Sequence, residues 1–337
     1  MRLAAVIPCY RCSRHAAEVV SAALDAFDHV FVIDDCCPER TGDLIEKSFA
    51  SQLVTVLRNP ENQGVGGATI AGYRAALKAG YDIIIKMDGD GQMDPEFIPA
   101  LLAPIVSGEA DYTKGNRFYR KRDMKRMPVT RLMGNSFLSL LNKASSGYWN
   151  VMDPTNGFTA LGRIAAREVE WSKVSKRYFF ESDLLFRLNI ARAVVQDVPM
   201  PARYGTENSN LRVFRAIPTF LMGHLRNGIR RFFYTYILRD FSVGTVHTIG
   251  GLILFVFGLT FGTITWWHSA VSGQDTSVGT VMIAMLPIIL GFQLLLNALA
   301  FDIANVPTRP LQRILSSPPR RRVTDNPQLE LKDWRRR

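Results

Sequence analysis

The fold is decided by the stretch Tyr81-Asp-Ile-Ile-Ile-Lys86-Met-Asp88-Gly-Asp90-Gly-Gln92-Met-Asp94-Pro95. Its apolar run predicts a buried strand over Asp82–Met87. Asp94 is a typical helix N-cap and Pro95 a typical first helical residue, so a helix is predicted over Pro95–Ser107. A strand that leads through a polar turn into a helix is the repeating unit of a sheet covered by helices.

The same alternation of strand and helix continues on both sides of this stretch. The other predicted strands are Leu3–Ile7, His29–Asp34, Leu53–Arg58, Ala110–Lys114 and Val194–Pro199. The other predicted helices are Arg14–Ala26, Thr41–Phe49, Val65–Ala79, Thr130–Ala144 and Glu181–Ala191. This order predicts a Rossmann-like α/β domain over residues 1–210 with a mostly parallel sheet.

The C-terminal third of the chain is far more apolar than the rest. No Lys, Arg, Asp or Glu occurs from Phe241 to Gly273 or from Thr276 to Phe301. Each run exceeds the roughly 20 apolar residues that cross a hydrocarbon core. We therefore predict two transmembrane helices within residues 241–305, at about 241–267 and 278–301. Buried helices of a soluble protein are the alternative.

Arginines flank the two predicted spans on one side only. They are Arg226, Arg230, Arg231 and Arg239 before the first span, and Arg309, Arg313 and Arg320 to Arg322 after the second. In the loop between the spans, Asp275 is the single residue among Lys, Arg, Asp and Glu. Because Lys and Arg near the ends of a span tend to stay in the cytoplasm, both termini are predicted to be cytoplasmic. Met1-Arg2 leads directly into the first strand, so no signal peptide is expected.

Two further segments adjoin the spans. Residues 211–240 interleave apolar side chains with arginines, which predicts amphipathic helices lying on the inner leaflet. Packing of these helices against the soluble domain is the alternative. Residues 306–337 are rich in Pro and Arg and are expected to form a basic, disordered tail. Gly258 and Gly262 have the GxxxG spacing that would let spans pack closely, as in a homo-oligomer.

The chain is basic, with 41 Lys and Arg against 30 Asp and Glu and a net charge of +11. Much of the excess lies beside the spans and in the tail. Anionic membrane lipids are therefore the expected partner of this charge, rather than nucleic acid. The cysteines Cys9, Cys12, Cys36 and Cys37 follow the first two strands and are expected to be unlinked cytosolic thiols. A zinc or redox site is the alternative.

Polar residues follow the predicted strands at their carboxyl ends, where open α/β sheets bind ligands. Asp88 and Asp90 are separated by one glycine and can turn toward the same cleft, with Gln92 close behind. Hard oxygen ligands of this kind suit Mg²⁺ or Mn²⁺, which would take their other ligands from substrate phosphates and water. A polar turn without ligands is the alternative.

Two more stretches carry information about the ligand. Asp34 and Asp35 follow the second strand, where one carboxylate would accept hydrogen bonds from a base or ribose and the other would cap the next helix. The stretch Asn62 to Ala68 is rich in glycine but lacks the Gly-Lys-Ser/Thr ending of a P-loop. ATP hydrolysis and dinucleotide redox chemistry are therefore disfavoured, and the glycines are expected to let a helix approach the sheet.

Taken in order, these motifs resemble family 2 glycosyltransferases of the GT-A fold. They are Ile7-Pro8-Cys9-Tyr10, Asp34-Asp35, Asn62-Gln63-Gly64, Asp88 to Pro95, and Asp153-Pro-Thr-Asn-Gly157-Phe158. The chain is most similar to the polyprenyl-phosphate branch, typified by dolichol-phosphate mannose synthases and by bacterial enzymes that load glucose onto undecaprenyl phosphate. The resemblance covers Met1 to about Asn210, and the two spans match bacterial inner-membrane members.

The resemblance implies roles for individual residues. For the donor nucleoside they are Pro8, Tyr10, Asp34 or Asp35, and Asn59. For the metal and diphosphate they are Asp88, Asp90 and Gln92. For the donor and acceptor phosphates they are Arg117, Arg131 and Arg203, and for the acceptor Asp153. The departure Asp34-Asp35-Cys-Cys borders the nucleoside pocket, and Glu181 and Asp183 would form either a catalytic pair or a buried network.

The activity implied by the resemblance is an inverting transfer of a sugar from a UDP- or GDP-sugar to a polyprenyl phosphate at the inner leaflet, with Mg²⁺ or Mn²⁺. Two alternatives stay open at this point. One is a family 2 transferase with a glycan or other hydroxyl acceptor, although the Gln-x-x-Arg-Trp motif of such enzymes is missing. The other is a catalytically silent, nucleotide-binding membrane scaffold. A subunit serving a flippase complex is a separate possibility that the hairpin would support without excluding catalysis.

Overall fold

The computed structural model describes residues 1–49, 51–119, 129–201 and 213–315. Within them, seven strands form one sheet in the order β3-β2-β1-β4-β6-β5-β7. The strands are β1 Leu3–Cys9, β2 His29–Asp34, β3 Val54–Arg58, β4 Ile83–Lys86, β5 Tyr112–Asn116, β6 Thr159–Gly162 and β7 Val195–Pro199. Pairing is parallel except around β6, which is antiparallel to β4 and β5. The predicted mostly parallel α/β sheet is confirmed, and the four-residue β6 is an addition to it.

Helices cover the sheet and continue beyond it. Those of the sheet domain are α1 Ser13–Leu24, α2 Thr41–Ser48, α3 Gly64–Lys78, α4 Ile98–Val106, α5 Val129–Ser146, α6 Arg163–Glu168 and α7 Phe180–Ile190. Those that follow are α8 Val213–Arg231, the π-helix Phe232–Arg239, α9 Val243–Ser272, α10 Val278–Ala304 and α11 Leu311–Leu315. The predicted cap is confirmed at the short 3-10 helix Pro95–Phe97, which leads into α4. There the Asp94 carboxylate accepts a hydrogen bond from the backbone N–H of Glu96 at 3.1 Å.

The core lies on both faces of the sheet. Along β1, Ala4 and Val6 belong to one buried cluster, while Ala5 and Ile7 belong to the other. A strand covered on both faces needs apolar residues at every position, which explains its continuous apolar run. Gly72 of α3 lies so close to β1 that an added Cβ would come within 2.4 Å of Val6. Gly72 lies outside the predicted glycine-rich stretch Asn62 to Ala68, where an added Cβ at Gly66 would instead meet the Ser175 carbonyl oxygen at 2.6 Å.

The two C-terminal helices α9 and α10 pack against each other as a hairpin. They have 30 and 27 residues and are long and apolar enough to cross a membrane. Only 11% and 6% of their most apolar 18-residue stretches are buried, whereas the core helices of a soluble protein would be mostly buried. Gly258 lies against α10 of the same chain, where an added Cβ would meet the carbonyl of Ala284 at 2.8 Å. The predicted GxxxG spacing thus serves the hairpin itself.

The segment before the hairpin packs on the sheet domain with one side and exposes apolar residues on the other. His224 and Asn227 of α8 are buried. The exposed apolar residues are Ile217, Leu221, Leu225 and Ile229, each about half exposed. Packing against the sheet domain is therefore confirmed for one side of α8, and contact of the other side with the inner leaflet stays a prediction.

The chain after the hairpin returns to the sheet domain. The backbone N–H groups of Leu311 and Gln312 donate to the Asp111 carboxylate, at 2.8 and 3.2 Å. Leu311 is 5% exposed and joins one of the two core clusters. The sequence predicts a disordered tail from residue 306, but residues 306–315 are packed because of these contacts. Residues 316–337 lie outside the described residues.

Candidate active site

A cleft of about 330 Å³ opens at the carboxyl edge of β1, β2 and β4. Its lining includes Pro8 and Tyr10 after β1, Asp35 after β2, and Asp88 and Asp90 after β4. Parallel pairing of β1 with both neighbours brings these strand ends to one edge of the sheet. Five of the sequence-predicted donor and metal residues therefore meet in this cleft, whereas Asp34 and Asn59 do not line it.

The carboxylates of Asp34, the last residue of β2, and of Asp35, which follows it, make different contacts. Asp34 is 6% exposed and accepts hydrogen bonds from the backbone N–H groups of Cys37 and Gly42, both at 2.7 Å. Gly42 lies in the first turn of α2, so Asp34 holds the helix N-terminus. Of the two readings of Asp34, the geometry favours the cap.

Asp35 faces the cleft instead. Its Oδ1 accepts hydrogen bonds from the Asn59 side-chain amide at 2.7 Å and from the Gln63 N–H at 2.9 Å. Its Oδ2 accepts from the Gly64 N–H at 2.8 Å. These donors fix the orientation of the carboxylate at the cleft wall. Asn59 is brought to the site as a support for Asp35.

A second, smaller cleft of about 120 Å³ lies beyond the two aspartates. Asp88, Asp90, Gln92 and Arg117 all contribute to its lining. The backbone N–H of Gln92 donates to Asp90 Oδ1 at 3.0 Å, which shapes the turn between them. Since Asp88 and Asp90 line both clefts, their carboxylates form the boundary where the two spaces meet.

Arg117 is held in the smaller cleft by Asp153. The Arg117 Nε and one terminal nitrogen donate to the two Asp153 oxygens at 2.7 and 3.0 Å. Asp153 is fully buried, whereas the Arg117 side chain is 28% exposed. A bidentate pair of this kind fixes the plane of a guanidinium. Asp153 therefore acts on the cleft through Arg117.

Two buried lysines lie beneath the aspartates. Lys86 Nζ is 2.7 Å from Asp88 Oδ1 and 3.2 Å from Glu181 Oε1. Lys114 Nζ is 3.3 Å from Glu181 Oε2. Burial disfavours the charge on Lys86, but Asp88 and Glu181 outweigh it and raise its pKa above the ordinary value. Glu181 is thus part of a buried ionic network, one of its two expected roles.

The cysteines near the cleft are free thiols. Cys9 and Cys12 line the larger cleft, and an added Cβ at Gly89 would come within 2.9 Å of Cys12 Sγ. A hydrogen bond from Cys9 lowers the pKa of Cys12, whereas the pKa of Cys9 is raised. Within the described residues no group of three His, Cys, Asp or Glu side chains has the arrangement of a metal site.

Comparison with known proteins gives the family. The model of glycosyl transferase family 2 matches residues 4–170. The chain is 32% identical over 204 residues to the undecaprenyl-phosphate mannosyltransferase of Micrococcus luteus, an alignment covering 59% of this chain and 83% of that protein. This chain belongs to glycosyltransferase family 2.

Two further similarities accompany this result. The family 2 chain is 28% identical over 221 residues to the UDP-N-acetylglucosamine–dolichyl-phosphate N-acetylglucosaminyltransferase of Methanococcus voltae, covering 61% of this chain and 87% of that protein. It also aligns with glucosyl-3-phosphoglycerate synthase of Mycobacterium tuberculosis in complex with UDP, with 21% identity, a TM-score of 0.49, and coverage of 66% of this chain and 79% of the other. The resemblance to the polyprenyl-phosphate branch, predicted from the motifs, is confirmed.

The donor set of this glycosyltransferase fits a divalent cation. Asp88 and Asp90 offer hard oxygen ligands, and both open onto clefts that substrate phosphates and water can enter. One oxygen of Asp88 is bound by Lys86, while the Asp88 side chain is 32% exposed. Two carboxylates that leave the remaining positions to phosphate and water are what Mg²⁺ or Mn²⁺ uses in such sites.

For two arginines implied by the family, the structure does not test the predicted role. Arg131 lies in α5, but its side chain is outside the described residues, as is the whole of Arg203. Sequence reasoning missed Arg177 and Tyr178, which line the larger cleft from the loop before α7. The N–H of Gly67 in α3 donates to the carbonyl of Lys176 at 2.7 Å and holds this loop in place. No local pattern marks that loop, because only the fold brings it to the cleft.

Proposed function

We propose that this glycosyltransferase moves a sugar from a UDP- or GDP-sugar to a polyprenyl phosphate at the inner leaflet of a membrane, using Mg²⁺ or Mn²⁺. The product would be a lipid-linked monosaccharide. The observation that carries this proposal is the position of Asp88 and Asp90 on the boundary of both clefts. A donor in the larger cleft would place its diphosphate at the same carboxylates that an acceptor reaches from the smaller one.

The larger cleft suits the donor nucleoside and diphosphate. Asp35 would accept hydrogen bonds from the base or ribose, since its carboxylate lines the larger cleft and is oriented by neutral N–H donors of Asn59 and Gly64. Tyr10, 41% exposed at the cleft, would contact the nucleoside with its ring. A bound divalent cation, held by Asp88 and Asp90 with help from Gln92, would neutralise charge on the leaving diphosphate.

The smaller cleft suits the acceptor phosphate. Arg117 presents a guanidinium whose plane is already fixed, which is favourable for binding an oxyanion. An acceptor phosphate oxygen would attack the anomeric carbon, forming a new C–O bond as the bond to the diphosphate breaks. The nucleoside diphosphate leaves with the electron pair. Because the attack comes from the side opposite the leaving group, the anomeric configuration is inverted.

No general base is required in this arrangement. A phosphate monoester is ionised at neutral pH, so its attacking oxygen carries no proton to remove. Both oxygens of Asp153 accept hydrogen bonds from Arg117, which supports a positioning role for Asp153. Arg131 and Arg203 are proposed as further phosphate contacts on the family's pattern.

The C-terminal segments suit an acceptor that stays in the bilayer. We assign residues 1–210 to the catalytic domain, residues 211–240 to the inner-leaflet surface and residues 241–305 to the membrane hairpin. The exposed apolar side of α8 would lie on the leaflet, and its exposed Arg226 and Arg230 would meet anionic lipid headgroups. Both termini would then be cytoplasmic, in keeping with the arginines at the hairpin ends. A bacterial inner membrane is the proposed location.

Transfer into lipid is the direct test. Purified full-length protein is incubated with radiolabelled UDP- and GDP-sugars and undecaprenyl phosphate, with Mg²⁺, Mn²⁺ or EDTA, and label is measured in the organic phase. We expect metal-dependent label that Asp90→Ala abolishes. Asp43→Ala is the matched control, because Asp43 is an exposed carboxylate paired with Arg58 on the outer surface and should keep activity.

The other outcomes identify the alternatives. Donor consumption with label only in water or in polymer would mean that the acceptor is a glycan or another hydroxyl. Binding of nucleotide without turnover of any donor would indicate the silent scaffold. Metal-independent transfer would contradict the role proposed for Asp88 and Asp90.

A further inference from the structure

Lys86, Lys114 and Glu181 form a buried ionic cluster directly beneath the proposed metal site. Lys86 of β4 and Lys114 of β5 both pair in register with Thr159 of the intervening β6. Directly paired residues of neighbouring strands point to the same face of a sheet, so the two lysines converge. Their side chains are 1% and 0% exposed. Glu181, in the first turn of α7, receives one lysine on each carboxylate oxygen.

Lys86 is shared between this cluster and Asp88. Its Nζ lies 2.7 Å from Asp88 Oδ1 and also donates to the Gly157 carbonyl at 3.3 Å. Together the two lysines, Glu181 and Asp88 carry two positive and two negative charges. Removal of Glu181's charge would leave this group with one excess positive charge next to Asp88. Buried charges interact strongly because little water screens them.

We propose that Glu181 is a positioning residue that sets the affinity of Asp88 for a divalent cation by offsetting the positive charge of Lys86. This inference rests on the proposed metal site and adds a buried residue, beneath the cleft, that sets the affinity of that site. Glu181 lies 3.2 Å from Lys86 Nζ and offsets part of its positive charge, which leaves Asp88 with negative charge to offer a cation. Its carboxylate, 14% exposed and bound by a lysine on each oxygen, is not arranged as a base for an acceptor.

The proposal predicts opposite effects for two substitutions. Glu181→Gln keeps the side-chain volume and removes the negative charge, so Mn²⁺ should bind on the order of tenfold more weakly. Lys114→Met removes a positive charge that does not touch Asp88, so Mn²⁺ should bind more tightly. The double variant restores a neutral sum and should bind within about threefold of wild type.

Asp183→Asn is the matched control. Asp183 lies two residues from Glu181, is fully buried, and pairs with Arg187 at 3.2 Å rather than with either lysine. It also accepts hydrogen bonds from the Ser175 N–H and the Asn227 amide. Its neutralisation should lower the thermal unfolding temperature without changing Mn²⁺ affinity.

The measurement is Mn²⁺ binding to the full-length protein in detergent with UDP present, followed by electron paramagnetic resonance of free Mn²⁺, alongside thermal unfolding. Weaker binding in Glu181→Gln, tighter binding in Lys114→Met and no change in Asp183→Asn would support the proposal. Equal affinity in wild type and Glu181→Gln would overturn it. If Glu181→Gln does not fold, Lys114→Met decides, and unchanged or weaker binding there overturns the proposal. No Mn²⁺ binding by wild type would instead refute the metal site of the proposed function.

Discussion

The Arg117 guanidinium and the Asp153 carboxylate meet side by side, with Nε to Oδ2 at 2.7 Å and a terminal nitrogen to Oδ1 at 3.0 Å. One partner is completely buried and the other reaches the smaller cleft. The buried carboxylate thus decides where the exposed cation lies. A side chain that would be mobile on a surface is fixed before any substrate arrives, which saves ordering cost on binding.

Asp153→Asn should therefore impair transfer by releasing Arg117. An amide cannot accept two charge-assisted hydrogen bonds, so we expect transfer to the acceptor to fall about 100-fold, the scale of a misplaced catalytic group. Nucleotide binding, measured by calorimetry, should stay unchanged because Asp153 is absent from the larger cleft. Thr155→Val is the control: it removes a hydroxyl that accepts from Arg117 at 3.2 Å and donates to Asp153 at 3.3 Å but leaves the charged pair intact, so it should cost only a few-fold. A transfer rate within threefold of wild type in Asp153→Asn would contradict this role.

Gly157→Ala should disturb the metal carboxylate. An added Cβ would come within 2.4 Å of Lys86 Nζ and 2.6 Å of Asp88 Oδ2, so both groups would have to shift. We expect transfer to fall by about 10- to 100-fold while the protein still folds. Gly134→Ala in α5, where an added Cβ meets nothing within 4 Å, is the control and should retain activity. Equal activity of the two variants would argue against a fixed position for Asp88.

Asp302→Asn should loosen the junction between the hairpin and the sheet domain. Asp302 accepts hydrogen bonds from Trp149 at 2.7 Å and from two nitrogens of Arg231 at 2.6 and 2.9 Å. Removal of the Asp302 charge leaves the buried Arg231 guanidinium uncompensated, which should lower the free energy of unfolding by about 3 kcal/mol. Thermal unfolding in detergent measures this loss. Asp240→Asn, in an exposed pair with Arg239, should cost less than about 1 kcal/mol, and equal losses would refute the distinction.

His224 should make stability depend on pH. Burial lowers the pKa of His224 to about 4, from an ordinary value of 6.5. The unfolded chain then binds more protons than the folded one between these values, so stability is lost as the pH falls from about 6.5 toward 4, by about 3 kcal/mol in total. Between pH 7.5 and 5, the thermal unfolding temperature should fall less in His224→Gln than in wild type. Parallel losses in both proteins would exclude His224 as the cause.

Asp197 opposes this effect and makes the comparison with a variant necessary. Burial raises the pKa of Asp197 to about 6, from 3.8. The folded protein therefore binds more protons than the unfolded chain in this window, and stability falls as the pH rises through it. Wild type alone would show a partial cancellation, whereas the difference between wild type and His224→Gln isolates the histidine.

Local signals in the sequence were sufficient for much of the site. The apolar run before Asp88 and the cap at Asp94 depend on neighbouring residues only, and both are found where the pattern predicts. The polar residues after β1 and β2 follow from the rule that parallel strands share a carboxyl edge. The sequence does not show which of Asp34 and Asp35 caps the helix and which contacts the ligand, because only the backbone turn decides which carboxylate faces the cleft.

Long-range relationships were beyond the sequence. Lys86 follows three isoleucines and reads as the polar end of a strand, yet it is buried because Asp88 and Glu181 compensate its charge. Its approach to Lys114 depends on the insertion of β6 between β4 and β5, and four residues of Thr-Ala-Leu-Gly carry too weak a pattern to predict a strand. The pairs that Glu181 makes with Lys114 and Lys86 span 67 and 95 residues of the chain and leave no periodic pattern in the sequence.

The return of Leu311 to the core has a consequence for how the molecule folds. Leu311 lies beyond the hairpin, yet it packs in the same cluster as Val6 and Leu161 of the sheet. The nascent sheet domain leaves the ribosome without this side chain and without the backbone donors that satisfy Asp111. These contacts can form only after the hairpin has been synthesised, so the packing of the sheet domain is completed by a segment that is made last.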